Sequence, residues 1–136
     1  QMKAALQPGL KGQSEIIVGK ELLASEVGSG LVTVYSTAMM IAGMEGTAVA
    51  SVQGALEESQ TTVGTHVNIS HLAATPCGMK VRFATELTAV SSNGKGLTFS
   101  VAAYDEAGLI GEGIHERVVV NKEKFESRTR DKGKQA

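Results

Sequence analysis

The sequence predicts an α+β domain in which one long helix packs against an antiparallel β-sheet. Segment 37–59, TAMMIAGMEGTAVASVQGALEES, has apolar residues at helical spacing and is rich in helix-forming residues. After residue 60 the apolar residues alternate with a period of two, which is typical of half-buried strands. Because a helix and a sheet each need a partner for their apolar face, we expect the helix to cover the sheet.

The strand-rich half contains two tight turns. The segment SSNGKG (91–96) predicts a hairpin whose two strands are neighbours in the sheet, and DEAG (105–108) predicts a second turn. The predicted strands are 61–72, 79–91, 96–105 and 109–121.

The rest of the chain completes a single domain, 1–136, with no internal repeat and no linker. Residues 1–13 have no strong period and predict a loose lead-in, followed by a strand at 14–24 and a loop at 25–30. Residues 122–136 are highly charged and predict a mobile, solvated tail, although their lysines and arginines are also candidates for contact with phosphate groups.

Ser36 or Thr37 is positioned to cap the N-terminus of the long helix. Gly43, Gly46 and Gly54 each lower helix stability by roughly 1 kcal/mol relative to Ala. Such a cost predicts a close approach of the helix to the backbone of a neighbouring element. The alternative is that one or more of these glycines mark irregular helix.

Composition argues against several functional classes. The net charge of -1, the 4% aromatic content and the absence of Trp argue against binding to nucleic acid or an anionic membrane. A single cysteine, Cys77, excludes an internal disulfide framework and a cysteine-based zinc site. Three histidines without close spacing make a poor metal site, so we predict none.

The sequence also bears on location. No basic region followed by an apolar run is present at the N-terminus, so we see no secretory signal. The longest apolar stretch, 38–52, is too short to span a membrane and contains Glu45. These features predict a cytoplasmic protein with no membrane association.

An acidic residue interrupts the helix. Glu45 lies within one apolar stripe, where a carboxylate must be paired, hydrogen-bonded, neutral or placed at a wet cleft. A different stripe through Met40 and Met44 would leave Glu45 near an edge of the buried face. The first stripe consists of Ala38, Ile41, Ala42, Ala48, Val49, Val52, Ala55 and Leu56.

A histidine is similarly misplaced on the strand that begins VGTHVNISHLAATP (63–76). Alternation puts His71 on the apolar face with Val63, Thr65, Val67 and Ile69, whereas His66 lies on the polar face and is expected at the surface.

Packing of the helix on the strand would bring Glu45 and His71 together as an acid/base pair. Thr37, eight residues before Glu45, adds a hydroxyl beside the free N–H groups of the helix start. This set suggests acyl-group chemistry without establishing it.

The sequence resembles the hot-dog-fold thioesterase family, closest to the fluoroacetyl-CoA thioesterase type. The resemblance spans about residues 31–125 and rests on the order and spacing of three segments. These segments are TAMMIAGME, VGTHVNISHLAATPCGMKVRFATEL and GLTFSVAAYDEAGLIGEGIHERVVV. It implies a hot-dog fold, in which the antiparallel sheet wraps around the central helix.

In that family a Thr, a Glu and a His form the catalytic set, and these correspond to Thr37, Glu45 and His71. The resemblance further implies that Gly64 and Arg117 bind the substrate. Gly64 corresponds to a residue next to the acyl thioester, and Arg117, in the HER segment, lies close to the active site in relatives. It implies an acyl-CoA substrate, with CoA as part of the substrate and no separate cofactor. It also implies a homodimer, or a dimer of dimers, with active sites at the subunit interface.

The predicted function is hydrolysis of a short or medium acyl-CoA, with Glu45 acting either as the nucleophile or as a base toward water. His115 either supports the site or has a structural role in its strand. The resemblance does not extend to fluoroacetate selectivity, because the segment ASEVGSGLVTVYS lacks the Phe of the family's lid and has Tyr35 as its single aromatic residue. The alternatives are a non-catalytic dimeric module that binds acyl-CoA and a related acyl-thioester enzyme such as a dehydratase.

Overall fold

The structure, a computed structural model, describes residues 5–135 as one antiparallel sheet, one long helix and several shorter elements. A short 3₁₀ turn at Lys20–Leu22 follows the first strand. In chain order the main elements are β1 (Lys11–Ile17), α1 (Ala24–Val27), α2 (Thr37–Gln53), β2 (Gln60–His71), β3 (Lys80–Val90), β4 (Gly96–Asp105), β5 (Gly108–Asn121) and α3 (Lys122–Gln135).

The five strands form a single sheet in the order β1-β3-β4-β5-β2, and all neighbouring pairs are antiparallel. The predicted hairpin between β3 and β4 is confirmed, and Gly94 in its turn has a φ of 76°, a value that favours glycine. Among residues 5–135, β2 pairs with β5 on one side and with no strand on the other. The sheet therefore has one long open edge at β2.

Helix α2 packs on one face of this sheet, and the core lies between them. The first predicted stripe is wrong, since Ala38 and Ala42 are exposed. The alternative stripe is correct and leaves Glu45 at the edge of the buried face. Both faces of the helix are rich in apolar residues, so spacing alone does not identify the buried one. Its buried residues are Met40, Met44, Thr47, Ala48 and Val52.

The helix approaches β3 closely at Gly43, but the contact is with a side chain and not with a backbone as predicted, since an added Cβ would overlap the ring of Phe83. An added Cβ at Gly46 or Gly54 would meet nothing within 4 Å. Gly54 is the C-cap, so the helix ends at Gln53, before the predicted end at residue 59. Phe83 therefore fills the space that a side chain at position 43 would occupy.

The structure corrects both ends of the sequence prediction. The first strand begins at Lys11 in the predicted lead-in and ends at Ile17, because its pairing with β3 covers only this segment. Residues 24–27, assigned mostly to a loop, form the short helix α1. The charged tail forms helix α3 as far as Gln135, consistent with its content of Lys, Glu and Arg, which are good helix formers. Within the described chain, no helix is long and apolar enough to cross a membrane.

Candidate active site

The start of α2 and the end of β2 meet through Thr37 and His71. The hydroxyl of Ser36 caps the helix by accepting a hydrogen bond of 3.4 Å from the backbone N–H of Met39. Thr37 follows as the first helical residue, and its Oγ1 lies 2.7 Å from Nδ1 of His71. The structure thus brings together two of the three residues that the sequence suggested as catalytic.

The other ring nitrogen of His71 is available for further chemistry. Nε2 is buried and has no hydrogen-bond partner among residues 5–135. Burial lowers the pKa of His71 from its ordinary value, and a contact with the backbone of Ala73 opposes part of this effect. The ring therefore favours the neutral form, in which one nitrogen donates a hydrogen bond and the other accepts one.

A β-bulge between Gly64 and His66 determines which side chains of β2 face the helix. Before the bulge, Thr62 is buried opposite the buried Val119 of β5. The interpretation that Val63 and His71 share one face is therefore wrong. One extra residue at the bulge shifts the alternation, so even-numbered positions face the helix before it and odd-numbered positions face it afterwards.

Gly64 allows the Glu45 carboxylate to approach the backbone of β2. An added Cβ at position 64 would lie 2.8 Å from Oε2 of Glu45 and 3.4 Å from Nη1 of Arg117. The site therefore requires the small residue at this position, since any larger side chain would displace the carboxylate.

Glu45 forms an ion pair with Arg117 across the space between α2 and β5. Its Oε2 accepts a hydrogen bond of 3.2 Å from Nη1 of Arg117 and lies 3.8 Å from Nε2 of His115, and its side chain is 39% exposed. The expected direct pairing of Glu45 with His71 is not observed within the described chain. The reason is distance along the helix, because the eight residues between Thr37 and Glu45 span about 12 Å.

The guanidinium of Arg117 is bound by Thr62, His115 and Glu45. It is 7% exposed, and its Nε donates 2.7 Å to the hydroxyl of Thr62 while its Nη2 donates 2.9 Å to the carbonyl of the same residue. Its Nη1 contacts both Glu45 and Nε2 of His115, the latter at 3.1 Å. Burial lowers the pKa of Arg117 and the nearby Glu45 opposes this effect, although an arginine stays protonated throughout the range of neutral pH.

The sequence left open whether His115 supports the site, and it did not suggest Thr62 at all. His115 is 1% exposed, donates from Nδ1 to the carbonyl of His66 at 2.8 Å, and stacks on Phe99. Its position two residues before Arg117, on the same face of an apolar strand, was a usable signal. Thr62 carried no such signal, because only the bulge places it beside Arg117.

An open, mostly apolar pocket of about 340 Å³ adjoins the pair of Thr37 and His71. Tyr35 contributes its ring to the lining, while its hydroxyl donates a hydrogen bond to the carbonyl of Met39. Burial raises the pKa of Tyr35 to about 12, so the phenol is neutral. Among residues 5–135, no Asp, Glu, Lys or Arg lines the pocket, whose other walls include Ala24, Val32, Val34, Leu72 and Ala73.

The family description "Fluoroacetyl-CoA-specific thioesterase" matches residues 18–123, and this range includes every site residue described above. The chain belongs to this family. A fluoroacetyl-CoA thioesterase from Streptantibioticus cattleyicolor is 37% identical over 99 residues, which are 73% of this chain and 70% of the relative. The prediction that the chain is a member of a thioester-hydrolase family is therefore confirmed.

Solved structures support the same relationship. A structure of the fluoroacetyl-CoA thioesterase FlK superposes with a TM-score of 0.88 at 28% identity, over 95% of this chain and 98% of the other. A thioesterase superfamily member from Thermus thermophilus gives a TM-score of 0.85 at 30% identity, over 98% and 97% of the two chains. A hot-dog-like protein from Thermanaerovibrio acidaminovorans gives 0.82 at 26% identity, over 92% and 91%. The predicted hot-dog fold is confirmed.

Proposed function

We propose that this protein hydrolyses a short or medium acyl-CoA with an uncharged acyl group, giving the free acid and CoA. The observation that carries the proposal is the hydrogen-bonded pair of Thr37 and His71 beside a mostly apolar pocket. Water adds to the thioester carbonyl, the carbon–sulfur bond breaks, and the sulfur leaves as a thiol after receiving a proton. Neutral His71 can accept through Nε2 the proton that the water loses on addition and deliver it to the departing sulfur, since Nε2 has no hydrogen-bond partner within 5–135.

The pocket supports an uncharged acyl group. A carboxylate placed there would lose part of its hydration without gaining a cationic partner among the described lining residues. A few methylene groups would instead gain about 0.8 kcal/mol each on burial. The volume of about 340 Å³ suits a short or medium chain. Among the described residues, no Phe contributes to the lining and Tyr35 is its one tyrosine, so we propose no preference for fluoroacetyl-CoA.

The open edge of β2 supports a homodimer. Val67 on this strand is 44% exposed although it points to the helix side, and Ala38 and Ala42 of α2 are also exposed. An open strand edge with adjoining apolar surface is suited to pairing with a second copy of the same strand. The exposed positions of β2 are 64–68 and Ser70, with Ile69 half-buried between them.

Such pairing brings the separated parts of the site together. If two copies of β2 pair antiparallel about an axis between Val67 and Asn68, Gly64 of one protomer lies opposite the partner's His71. Glu45, which lies against Gly64, then faces the partner's pair of Thr37 and His71. Each dimer would hold two such composite sites. Glu45 acts there either on water or directly on the thioester.

Release of free thiol from acyl-CoA substrates of graded length and charge tests the function. We expect turnover of acetyl- to hexanoyl-CoA and little turnover of succinyl-CoA, with fluoroacetyl-CoA no faster than acetyl-CoA. Substituting His66 with Gln is the matched control, because His66 is exposed on the opposite face of β2. Thermal stabilisation by acyl-CoA without thiol release would favour a non-catalytic binding module. Turnover unchanged in both Glu45→Ala and His71→Ala would overturn the proposed site.

A further inference from the structure

Arg117 is fixed on three sides by described residues, which leaves one edge of its guanidinium directed at Glu45. Thr62 accepts hydrogen bonds from Nε and Nη2, through its hydroxyl and its carbonyl. His115 accepts a hydrogen bond from Nη1, which also donates to Glu45. Four of the five N–H groups of the guanidinium are thus committed to the protein.

From this arrangement we infer that Thr62 and His115 are positioning residues, which hold Arg117 so that Arg117 fixes the reactive orientation of Glu45. The inference rests on the proposed function, in which the Glu45 carboxylate takes part in the reaction. It assigns Arg117 to Glu45 and not to the substrate, in contrast to the substrate-binding role that the family resemblance implied. None of the three side chains needs to touch the substrate.

Thr62 sets the plane of the guanidinium. Because the group is planar, two hydrogen bonds to a single residue, at 2.7 and 2.9 Å, define the directions of all its remaining donors. Thr62 is itself buried and faces the helix because of the bulge that follows it. The bulge in β2 therefore has a direct consequence for the direction in which Arg117 donates.

His115 limits where Nη1 can lie. The orientation of its ring is fixed by two other contacts, because Nδ1 donates to the carbonyl of His66 at the bulge and the ring stacks on Phe99. With Nδ1 as the donor, Nε2 of a neutral ring is an acceptor, which matches the donor Nη1 at 3.1 Å. Nη1 is therefore confined between two acceptors, Nε2 of His115 and Oε2 of Glu45.

The consequence for Glu45 is that its two oxygens differ. Oε2 is bound by Arg117, whereas Oε1 has no hydrogen-bond partner among residues 5–135. Without this bond, a partly exposed glutamate at a helix edge would sample several rotamers. The carboxylate would then have to reach its reactive orientation in every turnover, which would slow the reaction. The fixed side chain presents Oε1 as the oxygen that acts on water or on the thioester.

The decisive comparison uses Thr62→Val, which keeps the shape of the side chain but removes the acceptor, and Thr62→Ser, which restores it. We expect kcat of Thr62→Val to fall about ten- to hundredfold with KM within about twofold, as for misorientation of a reacting group. Thr62→Ser should recover most of the loss. His115→Phe should lower kcat in the same way, with His115→Gln recovering part of it. Thr98→Val, on the outer face of β4, is the matched control and should leave both constants unchanged.

A spectroscopic measurement separates positioning from a general loss of structure. The buried Nε–H of Arg117 should give a slowly exchanging side-chain NMR signal in the wild type and in Glu45→Gln, and the signal should be lost in Thr62→Val. This readout remains valid if Thr62→Val is less stable, provided that its amide spectrum shows a folded chain at the temperature used. If Thr62→Val does not fold, the test uses His115→Phe and His115→Gln instead. The same comparison of kcat and KM applies to these two variants.

The outcomes distinguish the inference from the proposed function. Absence of thiol release by the wild type, or full kcat in Glu45→Gln, would overturn the proposed function itself. With an active wild type and an impaired Glu45→Gln, full kcat in both Thr62→Val and His115→Phe would overturn the inference alone. A raised KM with unchanged kcat would also overturn it, because it would show that Arg117 binds the substrate.

Discussion

The hydroxyl of Thr37 lies 2.7 Å from Nδ1 of His71, and this contact joins the first residue of α2 to the last residue of β2. The contact depends on two local features. The cap at Ser36 starts the helix at Thr37, and the bulge in β2 turns His71 toward the helix. Orientation of the imidazole by a neighbouring hydroxyl is the property on which its proposed role in proton transfer depends.

Removal of that hydroxyl should slow the reaction without unfolding the protein. We expect Thr37→Val to lower kcat by about five- to tenfold, since one net hydrogen bond is worth about 1 kcal/mol. Thr37→Ser keeps the hydroxyl and should retain most of the activity. The steady-state kinetics of the two variants provide the measurement, and equal rates in Thr37→Val and the wild type would show that the contact is not used.

The dependence of kcat/KM on pH should report His71. Since burial lowers the pKa of His71 below 6.5, the neutral ring persists to lower pH than an exposed histidine would allow. If neutral His71 is the active form, the acidic limb of the profile should fall below pH 6.5 and should disappear from the residual activity of His71→Gln. An acidic limb centred above pH 6.5 would contradict this assignment.

The same shift makes a prediction about stability. A folded-state pKa below the unfolded value means that the unfolded chain binds a proton first as the pH falls. The contribution of His71 to the free energy of unfolding is therefore constant above about pH 6.5 and decreases below it, as far as the folded-state pKa. Urea unfolding of the wild type and His71→Gln between pH 5 and 8 measures this, and identical slopes for the two proteins would contradict it.

Gly64→Ala should impair catalysis more than stability. The new Cβ would lie 2.8 Å from the end of the flexible Glu45 side chain, which can move away at small cost to folding but loses its place against Arg117. We expect kcat to fall about tenfold or more, with a change in Tm of only a few degrees. Gly54→Ala is the control, because its Cβ meets nothing within 4 Å. Unchanged kcat would show that the position of Glu45 is not critical.

Gly43→Ala should lower stability more than it impairs catalysis. Its Cβ would overlap the buried ring of Phe83, and overpacking of a core typically costs about 1–3 kcal/mol. The higher helix propensity of Ala returns roughly 1 kcal/mol, so a net loss of stability is expected. Thermal unfolding of Gly43→Ala beside Gly54→Ala provides the measurement, and stabilisation in both would contradict the close approach.

The local sequence pattern predicted most of the fold but not the hydrogen bonds and the ion pair within the site. Alternation located β2 to β5 within one or two residues, because each has one face on the core. Helical spacing did not identify the buried face of α2, because both of its faces are apolar. Alternation assigned Val63 to the wrong face of β2, because one extra residue at the bulge reverses the alternation. The helix α3 in the charged tail was not predicted, since charge predicts exposure but does not exclude a helix.

The residues of the site were likewise only partly predictable from the sequence. Glu45 and His71 were recognisable because each is an ionisable residue in an apolar pattern. The ion pair between Glu45 and Arg117 joins residues 72 positions apart in sequence, and its existence depends on how β5 lies under α2. Thr62 is an ordinary strand threonine until the bulge and the ion pair are known, so no reading of a single sequence would select it.

The most direct test of a composite site of Glu45 and the partner's His71 is to mix two inactive variants. Glu45→Gln and His71→Gln should each show little thiol release from butyryl-CoA. After the two proteins are unfolded and refolded together, each mixed dimer should contain one intact site, so about a quarter of the wild-type activity should return. A mixture as inactive as its separate components would contradict the shared site, and full activity in both separate variants would contradict the proposed chemistry.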